Sequence, residues 1–326
     1  MKKIYSRAVL MLIIPLLSIA VSSNALAADA FPTRPIRIVV PFPAGSAPDL
    51  LARLVANKMA ISLKEAVIVE DRVGATGLIG TEIVARASPD GYALLIGTPS
   101  TTIAAASGRK LSFNPMKDLA PVSMGVIISP LLVTGAQSPI KDVKGLISMA
   151  KAKPGALTYA SGGVGNSQHL AGELLKQSAG IDLLHVPFQG GGTIMTALMS
   201  GQVDVAFADP AALPLIQSGK IRALAVGSRT RSRMLPDVPT VAESGLPSFS
   251  YQSWYGFLTT AGTPANVIDI LNREIRAALG DAEVLAKLSE LGMEAAPSTP
   301  DALRIFMAED VSRWEKVITT AQIKFE

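Results

Sequence analysis

Residues 36–53 (IRIVVPFPAGSAPDLLAR) form a strand–turn–helix pattern of the kind that builds α/β sheets. The β-branched run from Ile36 to Val40 predicts a buried strand, and apolar residues at helical spacing from Asp49 onward predict a helix. The first amides of a helix lack partners and lie at the positive end of its dipole, so the small-residue turn over 41–48 is suited to bind an anion. Taken alone, this turn is equally well explained as a plain strand–helix connection.

The same pattern recurs along the chain and predicts an α/β fold with mostly parallel sheets and right-handed crossovers. Predicted strands cover residues 36–40, 66–70, 92–96, 122–134, 157–160, 183–187, 203–208, 221–226 and 251–259. Predicted helices after the first cover residues 81–87, 143–151, 168–179, 193–200, 264–279, 282–291 and 300–320. The polar, proline-rich residues 229–247 predict a surface loop.

The length of 326 residues and the hydrophobic content of 49% suffice for two lobes. The apolar stretch 122–134 is long enough to leave one lobe and enter another, and 251–259 predicts the return. We therefore expect lobe 1 at residues 28–128 and 253–326, and lobe 2 at residues 129–252.

Residues 1–27 have the features of a cleaved export signal. Three basic residues precede an apolar segment at 8–21, and Ala25-Leu26-Ala27 is a small-x-small cleavage site. The apolar segment is short and contains Pro15, which argues against a membrane span. Removing the signal lowers the formal charge from +4 to +1, so the mature charge gives no argument for nucleic acid. These features predict export to a periplasm or to the exterior.

Composition and motifs argue against catalysis and against a cofactor or metal. The chain has no cysteine and two histidines, which excludes thiolate nucleophiles and Cys-based zinc sites. Residues 165–169 resemble a nucleophile elbow only in part, because His169 occupies the position of the final glycine. A secreted serine hydrolase using Ser167 with His169 remains the alternative, although side chains two positions apart on a helix do not face each other.

Four predicted strand ends share small residues, hydroxyls and glycines, at 43–47, 98–102, 161–167 and 189–192. Ligands of open parallel sheets bind at the carboxyl ends of strands. Two of these four turns precede the crossing stretch 122–134, and the other two follow it. We therefore expect them to face one another across a cleft. None contains Arg or Lys, so uncharged donors would hold a small carboxylate.

Individual side chains near these turns have more than one interpretation. Asp49 is expected to act as a helix-start acid, Ser167 could simply cap its helix, and His169 is expected to pack rather than act as a base. Asp209, at the end of another strand, could hold a hydroxyl, an amine or a water.

Several stretches resemble the extracytoplasmic receptors of tripartite tricarboxylate transporters, the Bordetella uptake gene (Bug, or TctC-like) family. They are residues 41–53, 71–98, 159–175, 185–192, 201–209, 235–247 and 261–264, in the family's order. The resemblance implies a two-lobed (type II) periplasmic binding protein that closes like a flytrap on an organic anion. It also implies membrane subunits similar to TctA and TctB as partners, and we expect a monomer.

The resemblance further implies a set of ligand-binding residues, partly acting through bound water. They are Phe42, Ala44, Gly45, Ser46, Ala47, Asp49, Thr98, Ser100, Thr101, Ser161, Gly163, Gly165, Asn166, Ser167, Gln189, Gly190, Gly191 and Asp209. Two positions depart from the family pattern: Ser46 stands where a second glycine is frequent, and Asn166-Ser167 follows Gly165 where serine commonly comes directly.

The sequence as a whole predicts a periplasmic solute-binding protein for a small carboxylate, with lobe closure presenting the ligand to a membrane transporter. An aromatic content of 5% argues against a sugar platform, although Phe42, Phe188, Trp254 and Tyr255 could flank an aromatic acid. An aromatic dicarboxylate and a four- to six-carbon aliphatic diacid both remain open. A sensor or adhesive protein would share the same fold.

Overall fold

A computed structural model describes residues 31–188 and 191–325, in which two mixed β-sheets are flanked by helices. The strands are β1 (Ile36–Val40), β2 (Val67–Asp71), β3 (Ala93–Gly97), β4 (Leu119–Ile128), β5 (Leu131–Gly135), β6 (Thr158–Ser161), β7 (Leu184–Pro187), β8 (Val205–Ala208), β9 (Ile221–Val226), β10 (Ser253–Thr260) and β11 (Glu294–Ala295). The helices are α1 (Ala47–Leu63), α2 (Leu78–Ala85), α3 (Pro99–Ala106), α4 (Val143–Ala152), α5 (Ser167–Ala179), α6 (Gly191–Met199), α7 (Leu213–Gln217), α8 (Ala265–Leu279), α9 (Ala282–Glu290) and α10 (Pro300–Ala321). The predicted signal segment and the predicted site residues Gln189 and Gly190 lie outside the described residues.

The opening strand–turn–helix unit forms as its pattern predicts. Ile36, Ile38 and Val40 are fully buried in one core with α1, α8 and α9. Ser46 has extended backbone angles before α1, and Pro48 in the first turn removes an amide that would lack a partner in any case. The helix ends where Lys64 adopts a left-handed conformation.

Each sheet combines parallel neighbours with an antiparallel strand. The first has the order β11-β4-β10-β3-β1-β2, and the second has the order β7-β6-β8-β5-β9. Four of the six described strands in the first sheet, and four of the five in the second, run in one direction. In the first sheet, β10 is the antiparallel strand that joins β3 to β4, which places a late segment of the chain beside the earliest strands.

Two connections near one another link the sheets. The apolar stretch 122–134 becomes β4 in the first sheet and β5 in the second, interrupted at Ser129-Pro130. The return to β10 passes the same point, because Gly227 N–H donates to Pro130 O (2.7 Å) and Tyr251 N–H donates to Gly227 O (2.9 Å). The lobe boundaries at residues 128 and 252 remain a prediction, to which this crossing point corresponds.

The long helix α10 packs against both sheets. Leu303 and Met307 in its first half share a core with Val39 of β1, whereas Trp314 and Val317 in its second half share a core with Tyr159 of β6. The last helix is therefore a third physical link between the two halves.

Two local predictions are wrong. Residues 99–102 were expected in a turn but begin α3, because Thr98 and Thr101 form a reciprocal capping box and Pro99 is favourable in a first turn. The segment 229–247 is not only surface: Val241 is fully buried and Leu246 nearly so, because they complete the core of the second sheet.

Candidate ligand-binding site

The turn before α1 is folded by Asp49. Its Oδ2 accepts hydrogen bonds from Gly45 N–H (2.7 Å) and Arg53 Nε (3.0 Å), while Gly45 adopts the left-handed φ of +78° that glycine tolerates. Burial by itself would raise the pKa of Asp49, but the hydrogen bonds from Arg53 and Gly45 outweigh it and lower that pKa. Asp49 therefore shapes the turn as a helix-start acid, with its Oδ1 buried 2.8 Å from Arg53 Nε.

Ser46, the residue before α1, differs from Asp49 because its hydroxyl is unused. Ser46 Oγ is buried and has no hydrogen-bond partner among the described residues. The helical hydrogen bonds begin at Leu50 N–H to Ser46 O, so the amides of Ala47 and Asp49 lie before the intrahelical ladder. An unpaired hydroxyl beside a helix start, where the dipole is positive, is an arrangement that can bind a carboxylate oxygen.

At α3, the predicted site residues divide by role. Thr98 and Thr101 are buried and cap the helix: Thr98 Oγ1 accepts from Ser100 N–H, and Thr98 N–H donates to Thr101 Oγ1, both at 3.3 Å. Ser100 is half-buried and lines a small cavity of about 30 Å³. The capping hydroxyls hold the backbone of the turn in place, while Ser100 faces the cavity.

Residues that follow strands of both sheets line that small cavity. Val164 and Gly165 from the turn after β6 line it opposite Ser100. Arg109 lines it as well, so a cation stands near the turns that the sequence predicted to use only uncharged donors. Arg109 was not predicted near the site, because it lies beyond the end of α3 and outside the four turns.

The turn over 161–167 is held by side chains on its own strand and helix. Ser161 is fully buried, and its Oγ lies 2.7 Å from His185 Nε2 and accepts from Gly163 N–H (3.2 Å). Asn166 Oδ1 accepts from His169 N–H (2.8 Å) at the start of α5. Asn166 is therefore the helix cap, and the possibility that Ser167 caps α5 is wrong.

Ser167 instead lies beside Tyr251, close enough that its side chain opposes the rise in the pKa of that tyrosine. Burial raises the pKa of Tyr251, and the nearby carboxylate of Asp209 raises it further. The pKa of Tyr255 in β10 is raised in the same way, mainly by burial and then by the charge of Asp209. Tyr255 was expected only as a possible flank for an aromatic acid, and Tyr251 was not predicted near the site, since only the fold brings residues 251–255 near Asp209.

Asp209 is exposed to solvent, although many protein atoms surround its carboxyl group. Burial raises its pKa, and no Arg, Lys or His in the described part of the chain forms an ion pair with it. A carboxyl group in such surroundings favours a partner that donates a hydrogen bond.

The other predicted site residues are exposed or half-buried. The backbone turn at Ala44 and Gly45 is exposed, and within the described ranges it makes no hydrogen bond to the turns of the second sheet. Phe42 is half-buried and packs towards Gly77. Gly191 is exposed at the start of α6. The structure thus groups Ser100 with Gly165, and places both Ser167 and Asp209 near Tyr251.

The chain is similar in sequence to a known protein family. Residues 51–323 match the sequence profile of TctC, described as the tripartite tricarboxylate transporter family receptor. The chain belongs to the TctC family. It is a solute-binding protein of a periplasmic receptor family and not an enzyme.

Similar proteins extend over nearly the whole TctC-family chain. Protein BugT of Bordetella pertussis is 36% identical over 302 residues, covering 91% of this chain and 93% of BugT. A structure of an R. palustris protein with adipate has a TM-score of 0.80 and 33% identity, covering 90% of this chain and 99% of the other. MatC from Rhodopseudomonas palustris with bound malate has a TM-score of 0.76 and 34% identity, covering 88% of this chain and all of MatC. The two-lobed fold predicted from sequence is confirmed by such structures.

The local geometry also argues against the hydrolase alternative. His169 Nδ1 accepts from Gly165 N–H (3.0 Å), and Ser167 is directed to Tyr251, so these two do not form a nucleophile–base pair. Ser161 does contact His185, but it is fully inaccessible, and burial followed by the neighbouring His169 lowers the pKa of His185 to about 4. Such an imidazole is a weak base at neutral pH.

Across residues 31–188 and 191–325, no helix has both the length and the apolar character needed to cross a bilayer.

Proposed function

We propose that this TctC-family protein works in the periplasm, where it captures a small dicarboxylate in the cleft between its two sheets. The observation that carries the proposal is the buried, unpartnered hydroxyl of Ser46 at the start of α1. One carboxylate of the ligand would accept hydrogen bonds from this hydroxyl and from the first amides of α1. Ser100 would contribute a further donor from the same sheet as Ser46, and the turn over 161–167 would contribute donors from the other sheet.

The ligand class follows from the neighbours and from Asp209. The related structures hold adipate and malate, which favours a four- to six-carbon aliphatic diacid over an aromatic dicarboxylate. Asp209 has no ion-pair partner among the described residues, so beside the ligand it would favour a hydroxyl, an ammonium or a protonated carboxyl group. A hydroxylated diacid would satisfy both the helix start and Asp209.

The delivery step rests on the family. A receptor of this family would present its ligand to transporter subunits similar to TctA and TctB, and closure of the lobes would distinguish the loaded from the empty form. Export of the chain rests on the predicted signal at residues 1–27. Fractionation of cells that express the full chain tests this, with the processed protein expected in the periplasmic fraction.

Thermal unfolding in the presence of organic acids tests the binding proposal. The exported chain is mixed with succinate, malate or adipate, and the one-carboxylate acids butyrate and hexanoate serve as matched controls. A bound diacid at a hundred times its Kd stabilises the folded state by about 2.7 kcal/mol and raises Tm, whereas the monoacids leave Tm nearly unchanged. Equal shifts with diacids and monoacids, or no shift with any acid, would overturn the proposal.

A further inference from the structure

Gly165 is held from two sides within the turn over 161–167. Its backbone adopts a left-handed conformation (φ +77°), and its N–H donates to His169 Nδ1 at 3.0 Å. On the opposite side lies the ring of Phe325, so close that a Cβ at position 165 would clash with it. A residue near the end of the chain thus packs directly on a candidate ligand-binding turn.

His169 also connects Gly165 to the rest of the turn. The side chain of His169 is 6% exposed and stacks on His185 with ring centroids 4.0 Å apart. His185 in turn contacts Ser161 Oγ at 2.7 Å. The two ends of the turn, Ser161 and Gly165, therefore rest on one pair of stacked imidazoles.

We propose that His169 and Phe325 are positioning residues that hold Gly165, and with it the turn over 161–167, in the shape that binds the ligand. Neither side chain needs to touch the ligand. The hydrogen bond fixes where the Gly165 amide lies, and the ring of Phe325 prevents the turn from moving outward. This inference rests on the proposed function, since it assigns a role in the same site.

The hydrogen bond makes the turn sensitive to acid. Nδ1 of His169 accepts a hydrogen bond only while it carries no proton, so protonation removes the acceptor and opposes the Gly165 amide. Burial is the main cause that lowers the pKa of His169, with Glu173 opposing this effect and Lys176 adding to it. The ring is therefore neutral at neutral pH.

The groups around His169 come from several elements. Tyr159 of β6 and His185 of β7 stack near it, and Glu173 and Lys176 lie on α5 itself. Neither β8 nor α3, which also pack on α5, has an ionisable side chain. The part of α10 in this core is the apolar set Trp314, Val317 and Ile318, while Glu315 and Lys316 are exposed.

Two substitutions at position 169 separate the hydrogen bond from mere packing. His169→Asn retains an acceptor near the position of Nδ1, whereas His169→Leu removes it. With a diacid that stabilises the wild type, calorimetric titration at pH 7.5 should show binding within about twofold of wild type for H169N and about five- to tenfold weaker for H169L. If H169L binds as tightly as wild type, or H169N as weakly as H169L, the role of the hydrogen bond is overturned.

The pH profile gives a readout that simple loss of packing would not move. As pH falls below the ordinary imidazole value of about 6.5, wild-type affinity should fall faster than that of H169N, because only the wild type loses an acceptor. Both proteins bind the same diacid, so ionisation of the ligand cancels in the ratio of their affinities. A ratio that stays constant over the whole acid range in which both proteins remain folded contradicts the proposal.

Phe325 is tested independently, so the proposal can be judged even if H169L does not fold. Phe325→Ala should weaken diacid binding several-fold, whereas Ile323→Ala, a truncation in the same tail and against the same core, should leave binding near wild type. Equal affinities of F325A and I323A would remove Phe325 from the proposal. Failure of the wild type to bind any diacid would instead refute the proposed function.

Discussion

Hydroxyl groups among the predicted site residues have different roles that their residue type does not reveal. Thr98 and Thr101 are bonded to the backbone of α3, and Ser161 is bonded to His185, so these hydroxyls maintain structure. Ser46 Oγ has no partner in the described part of the chain, and Ser100 faces a cavity. The Thr98 and Thr101 hydroxyls accept these bonds and retain their own O–H, whereas the Ser46 hydroxyl has both its donor and its acceptor capacity unused.

Ser46→Ala is therefore expected to weaken diacid binding about five- to tenfold while leaving the free energy of unfolding nearly unchanged, because no protein hydrogen bond is lost. Thr98→Ala is the matched comparison, and it should cost about 1 kcal/mol of stability through loss of a helix cap. Calorimetric titration and urea unfolding of both variants measure the two effects. A stability loss in S46A as large as that in T98A would show that the Ser46 hydroxyl has a structural partner.

Acid should destabilise the folded protein through His185. Its pKa is about 4 in the folded chain against about 6.5 when unfolded, so the unfolded state binds more protons between these values. The stability that neutral His185 provides is complete above pH 6.5 and is lost as the pH falls toward 4, by about 3 kcal/mol. Urea unfolding of wild type and His185→Phe across this range measures it. The loss should be smaller in H185F, and identical slopes would contradict the assignment.

Helix α5 packs on the second sheet through a close approach of its backbone as well as through apolar side chains. Gly172 on α5 faces Tyr159 of β6, whose ring occupies the space that a Cβ would need. Asn166 starts the same helix, and Leu170 and Leu175 bury its apolar face. Small size at one position thus lets α5 lie close to the strand that carries Ser161.

Gly172→Ala should destabilise the protein by about 1–3 kcal/mol, because the added methyl must displace a buried ring. Gly145→Ala on α4 is the matched control, since it adds the same methyl where its nearest neighbour is Asp142 Oδ1 at 3.4 Å. That control should be neutral or slightly stabilising through higher helix propensity. Thermal and urea unfolding compare the two, and equal destabilisation would mean that α5 is free to move away from β6.

The two halves are joined at one crossing point and by α10. The crossing uses backbone hydrogen bonds among Pro130, Gly227 and Tyr251, whereas α10 has its first half in one core and its second half in another. Any closure must therefore turn about the crossing strands while α10 maintains contact with both sheets. Hinge motions of this kind need few residues to change conformation.

A diacid that binds between the sheets is expected to make the molecule more compact. Small-angle X-ray scattering of the exported chain should show a smaller radius of gyration with saturating diacid than without, and hexanoate should produce no change. The physical reason is that the ligand makes contacts with both halves only in the closed form, so binding shifts the population toward it. Diacid binding without a change in radius would mean that one half alone holds the ligand.

Local sequence patterns predicted most strands and helices and identified the turns of the candidate site, because strand and helix periodicity and glycine-rich turns depend on neighbouring residues. The family was also recognisable from the order of its stretches. The start of α3 was missed because a capping box and a turn use the same residue types.

The tertiary structure alone decided which groups are available in the site. It brought Tyr251 and Tyr255 near Asp209, and it placed Phe325 against Gly165. These contacts join segments far apart in the chain, and their energies depend on distances that no local pattern encodes. Whether a hydroxyl is free to bind a ligand is settled by those distant partners.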